Sequence, residues 1–319
     1  MVIIPGNPAF IVWGRYYSHV QAILAALLHD ILGVWFRDVT GFLAVLRRCR
    51  ALVCGHAALA YVLRDSAVLT KTLEVSVPAD KEDALREHLV RECGFVYFAV
   101  SARGEGGFLD AVISHHYWIS GNHFLTLHCS PDRSAITPIA REPNTALMNF
   151  VSPVGFGSAY AALTLQRMGL SVSWRVLGDD DRRRNLLTVA KANVRLAQDP
   201  CDLFSPLVLN ALPGPAPLHR RCFEGLFACP RQGRYFGDGG SLVDFFDITT
   251  VDLATLRREH LPPFGTTTVW RLPVTRPACY GNCARGDDLL PGGIMTAPAI
   301  IPAVPFHYGP RFAGIRAMY

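Results

Sequence analysis

Charge is sparse in this chain. Only 18% of its 319 residues are Asp, Glu, Lys or Arg, while half are hydrophobic. So apolar a composition argues against wholesale disorder and supplies a sizeable core. The net charge of +5 is mild; it permits acidic partners without requiring nucleic acid. No uninterrupted apolar run is long enough to span a membrane, because the most apolar early segment, residues 20–36, is broken by Gln21, His29 and Asp30. That segment also lacks the small-residue cleavage pattern of a secretory signal. A dense cysteine framework is missing too. Nine cysteines, an odd number, are scattered over the chain, which favours reduced thiols or a metal site over disulfides. No internal repeat is visible. These absences lead to the expectation of an intracellular protein, cytoplasmic or nuclear, with no membrane partner. The length allows one large domain or two of ordinary size.

What is present is organised around residues 50–78. Ala51 to Cys54 form a short apolar run, as a buried strand would, stopped by Gly55. Gly55 lets the backbone turn sharply and leaves its amide open to an anion. Ala57 to Leu63 suits a helix, whose free N–H groups and positive dipole end would aim back at the turn. Thr72, Glu74 and Ser76 then alternate with Leu73, Val75 and Val77, the period of a strand with one polar face. Glu74 is therefore expected to point out of the core, toward the turn or toward water.

This strand, Gly turn, helix and carboxylate-bearing strand resemble the nucleotidyltransferase fold of polymerase-β-like enzymes, and within it a large group of uncharacterised mushroom proteins predicted to carry that fold. In that superfamily a Gly-Ser turn precedes a strand with two carboxylates one residue apart, which bind the divalent metal that bridges nucleotide phosphates. Here Gly55 keeps the glycine, His56 stands in the serine position, Thr72 in the first carboxylate position and Glu74 in the second. Thr145 to Phe150 is similar to a T-x-x-M-N-F stretch of the mushroom group, and Cys229 to Ser241 to its Cys-Pro…Arg-x-Phe-x-Asp region. The similarity spreads over roughly residues 40 to 290. It implies nucleotide binding at Gly55, His56 and Thr72, and Mg²⁺ with catalysis at Glu74 if the protein is active. The third carboxylate would come from the strand His123 to Cys129, which offers Thr126 and no acid. Mg²⁺ prefers octahedral oxygen coordination, so the expected metal cage is incomplete.

Around this centre the sequence predicts an α/β chain with a mixed, α+β sheet. Residues 1–49 read as N-terminal helices after an irregular start, 50–150 as the nucleotidyltransferase-like core, 151–210 as a helical region and 211–319 as Pro/Gly/Cys-rich. Asp80 is positioned to cap a helix from Lys81 to Cys93. Phe95 to Val100, Tyr117 to Ile119, His123 to Cys129 and Ala135 to Ile139 read as strands. Thr145 to Phe150, capped by Asn144, opens the helical region, with helices from Ala159 to Met168 and from Asn185 to Gln198. Asp181 reads as an N-cap, and the clusters Arg47, Arg48, Arg50 and Arg182, Arg183, Arg184 as solvated helix faces. Leu253 to His260 reads as a short helix, and the stretch from Pro291 as an extended tail.

Cys222 and Cys229 are separated by six residues, Cys279 and Cys283 by three, with Gly281 inside the second pair. Four thiolates so spaced are candidates for a structural Zn²⁺ that would clip a region poor in regular structure. Cys49, Cys54, Cys93, Cys129 and Cys201 read as small core hydrophobes. His128 and Cys129 would face opposite sides of a strand, which argues against a catalytic thiol pair; His115 and His116 read as exposed turn residues.

Three functions remain open on these residues. One is a nucleotidyltransferase-fold protein with a degenerate metal site that binds a nucleotide or nucleic acid. A second is an active enzyme that moves a nucleoside monophosphate from a triphosphate to a hydroxyl or phosphate acceptor. The third is a zinc-stapled module for a protein partner.

Overall fold

The computed structural model describes residues 8–103, 112–119, 122–172, 179–212, 223–229, 232–246, 266–272 and 294–298. Twelve strands are found among them: β1 Leu52–Cys54, β2 Thr72–Val77, β3 Val96–Arg103, β4 Val112–Trp118, β5 Phe124–Cys129, β6 Asn149–Ser152, β7 Gly155–Ser158, β8 Met168–Leu170, β9 Arg195–Ala197, β10 Leu242–Phe245, β11 Thr266–Trp270 and β12 Ile294–Pro298. Eight α-helices accompany them: α1 Pro8–Leu32, α2 Val39–Cys49, α3 Gly55–Leu63, α4 Glu82–Arg91, α5 Ile136–Ala140, α6 Ala161–Leu165, α7 Asp179–Ala192 and α8 Pro206–Ala211.

Eight strands form one sheet in the order β10-β7-β6-β1-β2-β5-β4-β3. All its neighbours are antiparallel except β2 and β5, which run parallel, with Glu74 opposite Thr126 and Ser76 opposite His128. The fold is thus mixed α/β with a mostly antiparallel sheet. Period-two alternation sets its two faces. Val53, Leu73, Val75, Val77, Leu125 and Leu127 pack with α1, α2 and α4 in one hydrophobic core. Leu52, Cys54 and Phe150 point the other way, into a second core that includes Ile136, Ile139, Tyr160, Phe236 and Trp270. Thr72, Glu74 and Ser76 of β2, Ser114 and His116 of β4, and Thr126 and His128 of β5 lie on this second face.

Local chemistry explains where the chain departs from the expected elements. The helix α1 begins at Pro8, a first-turn position where the missing N–H costs nothing. Ala135 to Ile139, expected as a strand, belongs to the short helix α5: Ser134 Oγ accepts from the Ile136 amide at 3.2 Å, and Pro138 falls in the first turn. Asp80 does not cap α4; it pairs with Arg50 at 2.5 Å, and Lys81 occupies the cap position. Asn144 caps as expected, its side chain accepting from the Leu147 amide at 3.1 Å. The helix it starts is one 3₁₀ turn, after which Asn149–Ser152 is strand β6, because Val151 pairs with Val53 of β1. Gly157 on β7 leaves room for the Phe150 ring that crosses it; a Cβ there would collide with that ring. The expected helix from Ala159 shrinks to α6 and yields to β8, while α7 starts at Asp179 and ends at Ala192, before β9. Asp181 sits within the first turn of α7, 4% exposed, rather than at its cap. The C-terminal region is not wholly irregular: β11 and β12 pair antiparallel. Leu253 to His260 lies outside the described residues.

The two segments on which the resemblance to the mushroom group rests are structural in this chain. Thr145 Oγ1 accepts from the Leu170 amide at 2.8 Å and Asn149 Nδ2 donates to the Ala146 carbonyl at 2.6 Å, tying the 3₁₀ turn to β8 and β6 to that turn. Arg234 and Asp238, the Arg and Asp of the second segment, form a fully buried pair. Among the described residues, no helix is long and apolar enough to cross a membrane.

Candidate functional site

The glycine turn and the carboxylate meet. Cys54 of β1 pairs with Glu74 of β2, so the next residue, Gly55, lies against the Glu74 side chain. Gly55 has φ +61°, and a Cβ on it would overlap the Glu74 carboxylate. Both facts require glycine. Gly55→Ala is expected to cost about 1–2 kcal/mol from the left-handed backbone alone and more from displacing Glu74. A urea midpoint equal to that of the parent would show that the contact is absent.

Glu74 is buried, 6% exposed, in the wall of a cavity. Its neighbours are cationic or proton-donating. Arg184 of α7 lies 2.5 Å from Oε2, His128 Nε2 donates to the same oxygen at 3.2 Å, and His56 Nδ1 stands 3.6 Å from Oε1. Burial by itself would push the Glu74 carboxyl up; the Arg184 guanidinium, with His128 and His56, outweighs it and holds the group well below the usual carboxylate range. Arg184 also pairs with buried Glu142 at 2.6 Å. Burial alone would lower the Arg184 pKa, but these two carboxylates raise it.

Further contacts orient the imidazoles. Thr188 Oγ1 donates to the Arg184 carbonyl at 2.8 Å, so His56 Nε2, 3.3 Å away, is the donor to it. Ser114 Oγ bonds His128 Nδ1 at 2.8 Å. Ser114, His128 and Glu74 therefore stand in line, as in a hydrolase triad. Ser114 is only 2% exposed and does not line the cavity, so it orients the imidazole and is not placed to attack a substrate.

The cavity beside these residues has a volume of about 830 Å³. His56, Thr72 and Glu74 line it, as do His116, His123, Thr126 and His128. Arg183, Leu187 and Lys191 recur every four residues along one side of α7 and close another wall. Lys71, exposed, adds a fourth Lys or Arg to Arg183, Arg184 and Lys191. Phe98 and Phe124 contribute aromatic surface, their rings edge-on with centroids 6.2 Å apart. Glu74 is the only acid among the described residues lining the cavity.

The structure thus brings His56, Thr72 and Glu74 to one cavity with Gly55 immediately behind Glu74. The residues do not fit Mg²⁺. The one carboxylate already carries a guanidinium on Oε2, and Thr126 stands opposite Glu74 on β5, where a further acid would be needed. Asp132 is spent in a turn, accepting from the Ser134 amide at 2.8 Å and Thr137 Oγ1 at 2.9 Å. Of the arginine cluster read as solvated, Arg184 is buried and pinned between two acids; one-dimensional spacing held no sign of this beyond the run of three arginines. His115 and His116 lie on β4, not in a turn, and His115 is buried.

Among the cysteines, Cys222, Cys279 and Cys283 lie outside the described residues, and Cys229 is buried in the second core. A different trio comes together on the opposite side of the sheet. Ligand atoms of Glu82, His115 and Cys129 all lie within 4.8 Å of one another and could hold a metal ion. His128 and Cys129 do face opposite ways, as alternation requires: one toward Glu74, the other toward Glu82. Searches of protein-family models and of curated proteins return no match to this chain.

Proposed function

We propose that this is a nucleotidyltransferase-fold protein with a degenerate metal site, and that its cavity binds a phosphorylated ligand, a nucleotide or a nucleic-acid end, without catalytic metal. The observation that carries this reading is the Arg184–Glu74 contact inside a cavity whose other polar lining residues carry cations, imidazoles and hydroxyls. A site that must hold Mg²⁺ collects negative charge; this one has neutralised the one acid among its described lining residues and keeps positive charge to spare. Lys71, Arg183 and Lys191 supply charge-assisted donors for phosphate oxygens. Phe98, exposed beside His116, offers a face on which a base can stack. The Glu74 carboxylate fills the space next to Gly55, so phosphate is held by the lysine and arginine side chains and not by the glycine turn.

Calorimetric titration with ATP and with a 5′-phosphorylated single-stranded oligonucleotide tests this. Binding of at least one is expected in EDTA, with no pyrophosphate release when Mg²⁺ or Mn²⁺ is added. Lys71→Glu with Lys191→Glu is expected to weaken that binding at least tenfold, since a hydrogen bond to a charged group contributes about 1.5–3 kcal/mol. Metal-dependent pyrophosphate release that Glu74→Gln abolishes would instead establish the active transferase. Absence of binding to either probe would refute the reading.

A further inference from the structure

We propose that Glu82, His115 and Cys129 form a three-ligand site for a zinc-class divalent ion that clamps the start of α4 to β4 and β5. The site stands apart from the cavity. Alternation on β4 sends His116 to the cavity and His115 to the other face, and on β5 does the same to His128 and Cys129. Nothing in this inference depends on the ligand proposed for the cavity.

The donor set is one carboxylate oxygen, one imidazole nitrogen and one sulfur. Mg²⁺ and Ca²⁺ take oxygen ligands and are poorly served by it, whereas Zn²⁺ and Co²⁺ accept all three donors. The atoms are nearly in place. His115 Nε2 lies 2.9 Å from Glu82 Oε1, and the three donors fit within 4.8 Å. Bonds of about 2.0–2.3 Å put tetrahedral donors roughly 3.5 Å apart, so a rotation of Cys129 and a slight opening of the Glu82–His115 contact complete the triangle.

Burial argues that this polar group was assembled for a purpose. Cys129 is 2% and His115 8% exposed, and His115 Nδ1 is buried with no hydrogen-bond partner among the described residues. That orphan is the ring nitrogen away from Glu82, so the ion would bind Nε2 with the proton on Nδ1, and what it offsets is the burial of the Nε2, Sγ and carboxylate donors themselves. Glu82, partly exposed at the first residue of α4, gives the ion a way in from solvent. Arg86, 3.4 Å from Glu82 Oε1, competes for that carboxylate and lowers the affinity. Three protein ligands leave the fourth position to water. On binding, the Cys129 Sγ–H bond breaks, the proton leaves to solvent and the sulfur bonds the metal.

The test is cobalt titration of the full chain, reduced and stripped of metal, carrying Cys279→Ser and Cys283→Ser so that those thiols contribute nothing. A sulfur-to-cobalt charge-transfer band and the strong visible absorption of a four-coordinate ion are expected, saturating at one ion per chain. Cys129→Ser should abolish the charge-transfer band. Glu82→Gln, at the rim, should weaken cobalt binding at least tenfold with an unchanged far-ultraviolet circular dichroism spectrum, which keeps the test decisive if the buried variant fails to fold. No band in the parent background, a band that survives Cys129→Ser, or unchanged affinity in Glu82→Gln would each overturn the proposal.

Discussion

Arg184→Met is expected to lower the unfolding free energy by about 3–5 kcal/mol, the usual consequence of removing one member of a buried ion pair. Glu74 is 6% exposed and Glu142 2%. Both carboxylates touch the same guanidinium, at 2.5 and 2.6 Å. Removing it leaves two charges in a poorly solvated space, where each must be protonated or draw in water. Urea denaturation should show the midpoint falling at constant slope. Adding Glu74→Gln and Glu142→Gln to Arg184→Met should recover much of the loss, since no charge then remains buried. A loss below about 1 kcal/mol, the range of exposed pairs, would mean that water reaches both acids.

The same cluster sets a pH dependence. The Glu74 carboxyl is held below its ordinary value in the folded chain, so the unfolded state binds more protons in that window. Its contribution to stability is present above the unfolded pKa and is lost as pH falls through the folded one. The parent should therefore lose stability in acid more steeply than Glu74→Gln, and parallel curves would disprove the linkage.

Arg234→Ala should be of comparable size and arises in the second core. Arg234 and Asp238 are both completely buried, joined by two hydrogen bonds of 2.5 and 2.9 Å. The guanidinium also donates to the carbonyls of Phe227, at 2.6 Å, and Ala159, at 2.5 Å, and lies 4.4 Å from the Tyr160 ring centroid. Truncation strands Asp238 and two carbonyls and opens a cavity among aromatic rings, an expected loss of about 3–5 kcal/mol or more. Arg234→Lys should not rescue it, because an ammonium cannot reproduce the planar fork that serves Asp238 and both carbonyls. Near-ultraviolet circular dichroism adds a local readout, since the Arg234 amide donates to the Trp270 carbonyl at 2.8 Å and the Trp270 amide donates to the Arg234 carbonyl at 2.9 Å. Stability within about 1 kcal/mol of the parent in either variant would mean that this pair does not brace the second core.

Local signals carried as far as local physics reaches. The alternation of β2 and the glycine after β1 each depend on neighbours a few positions away. They were therefore readable one stretch at a time, as was the opposite facing of His128 and Cys129. Weak runs such as Ala135 to Ile139 and Thr145 to Phe150 do not specify their own state, because isoleucine, threonine and phenylalanine fit either one. There the decision fell to a serine cap in one case and to pairing with β1 in the other.

Residues 50–78 by themselves determined the strand, the turn that only glycine can make, and the strand that aims Glu74 back at it. Tertiary structure alone decided what that carboxylate is. It did so by laying α7, more than a hundred residues later, across the polar face of the sheet, so that Arg184 took the place beside Glu74 and its neighbours Arg183 and Lys191 charged the cavity. Sequence spacing cannot encode that outcome, because an arginine run on a helix looks the same in water as against a buried acid. Only the packing of distant elements settles which side of the helix is dry.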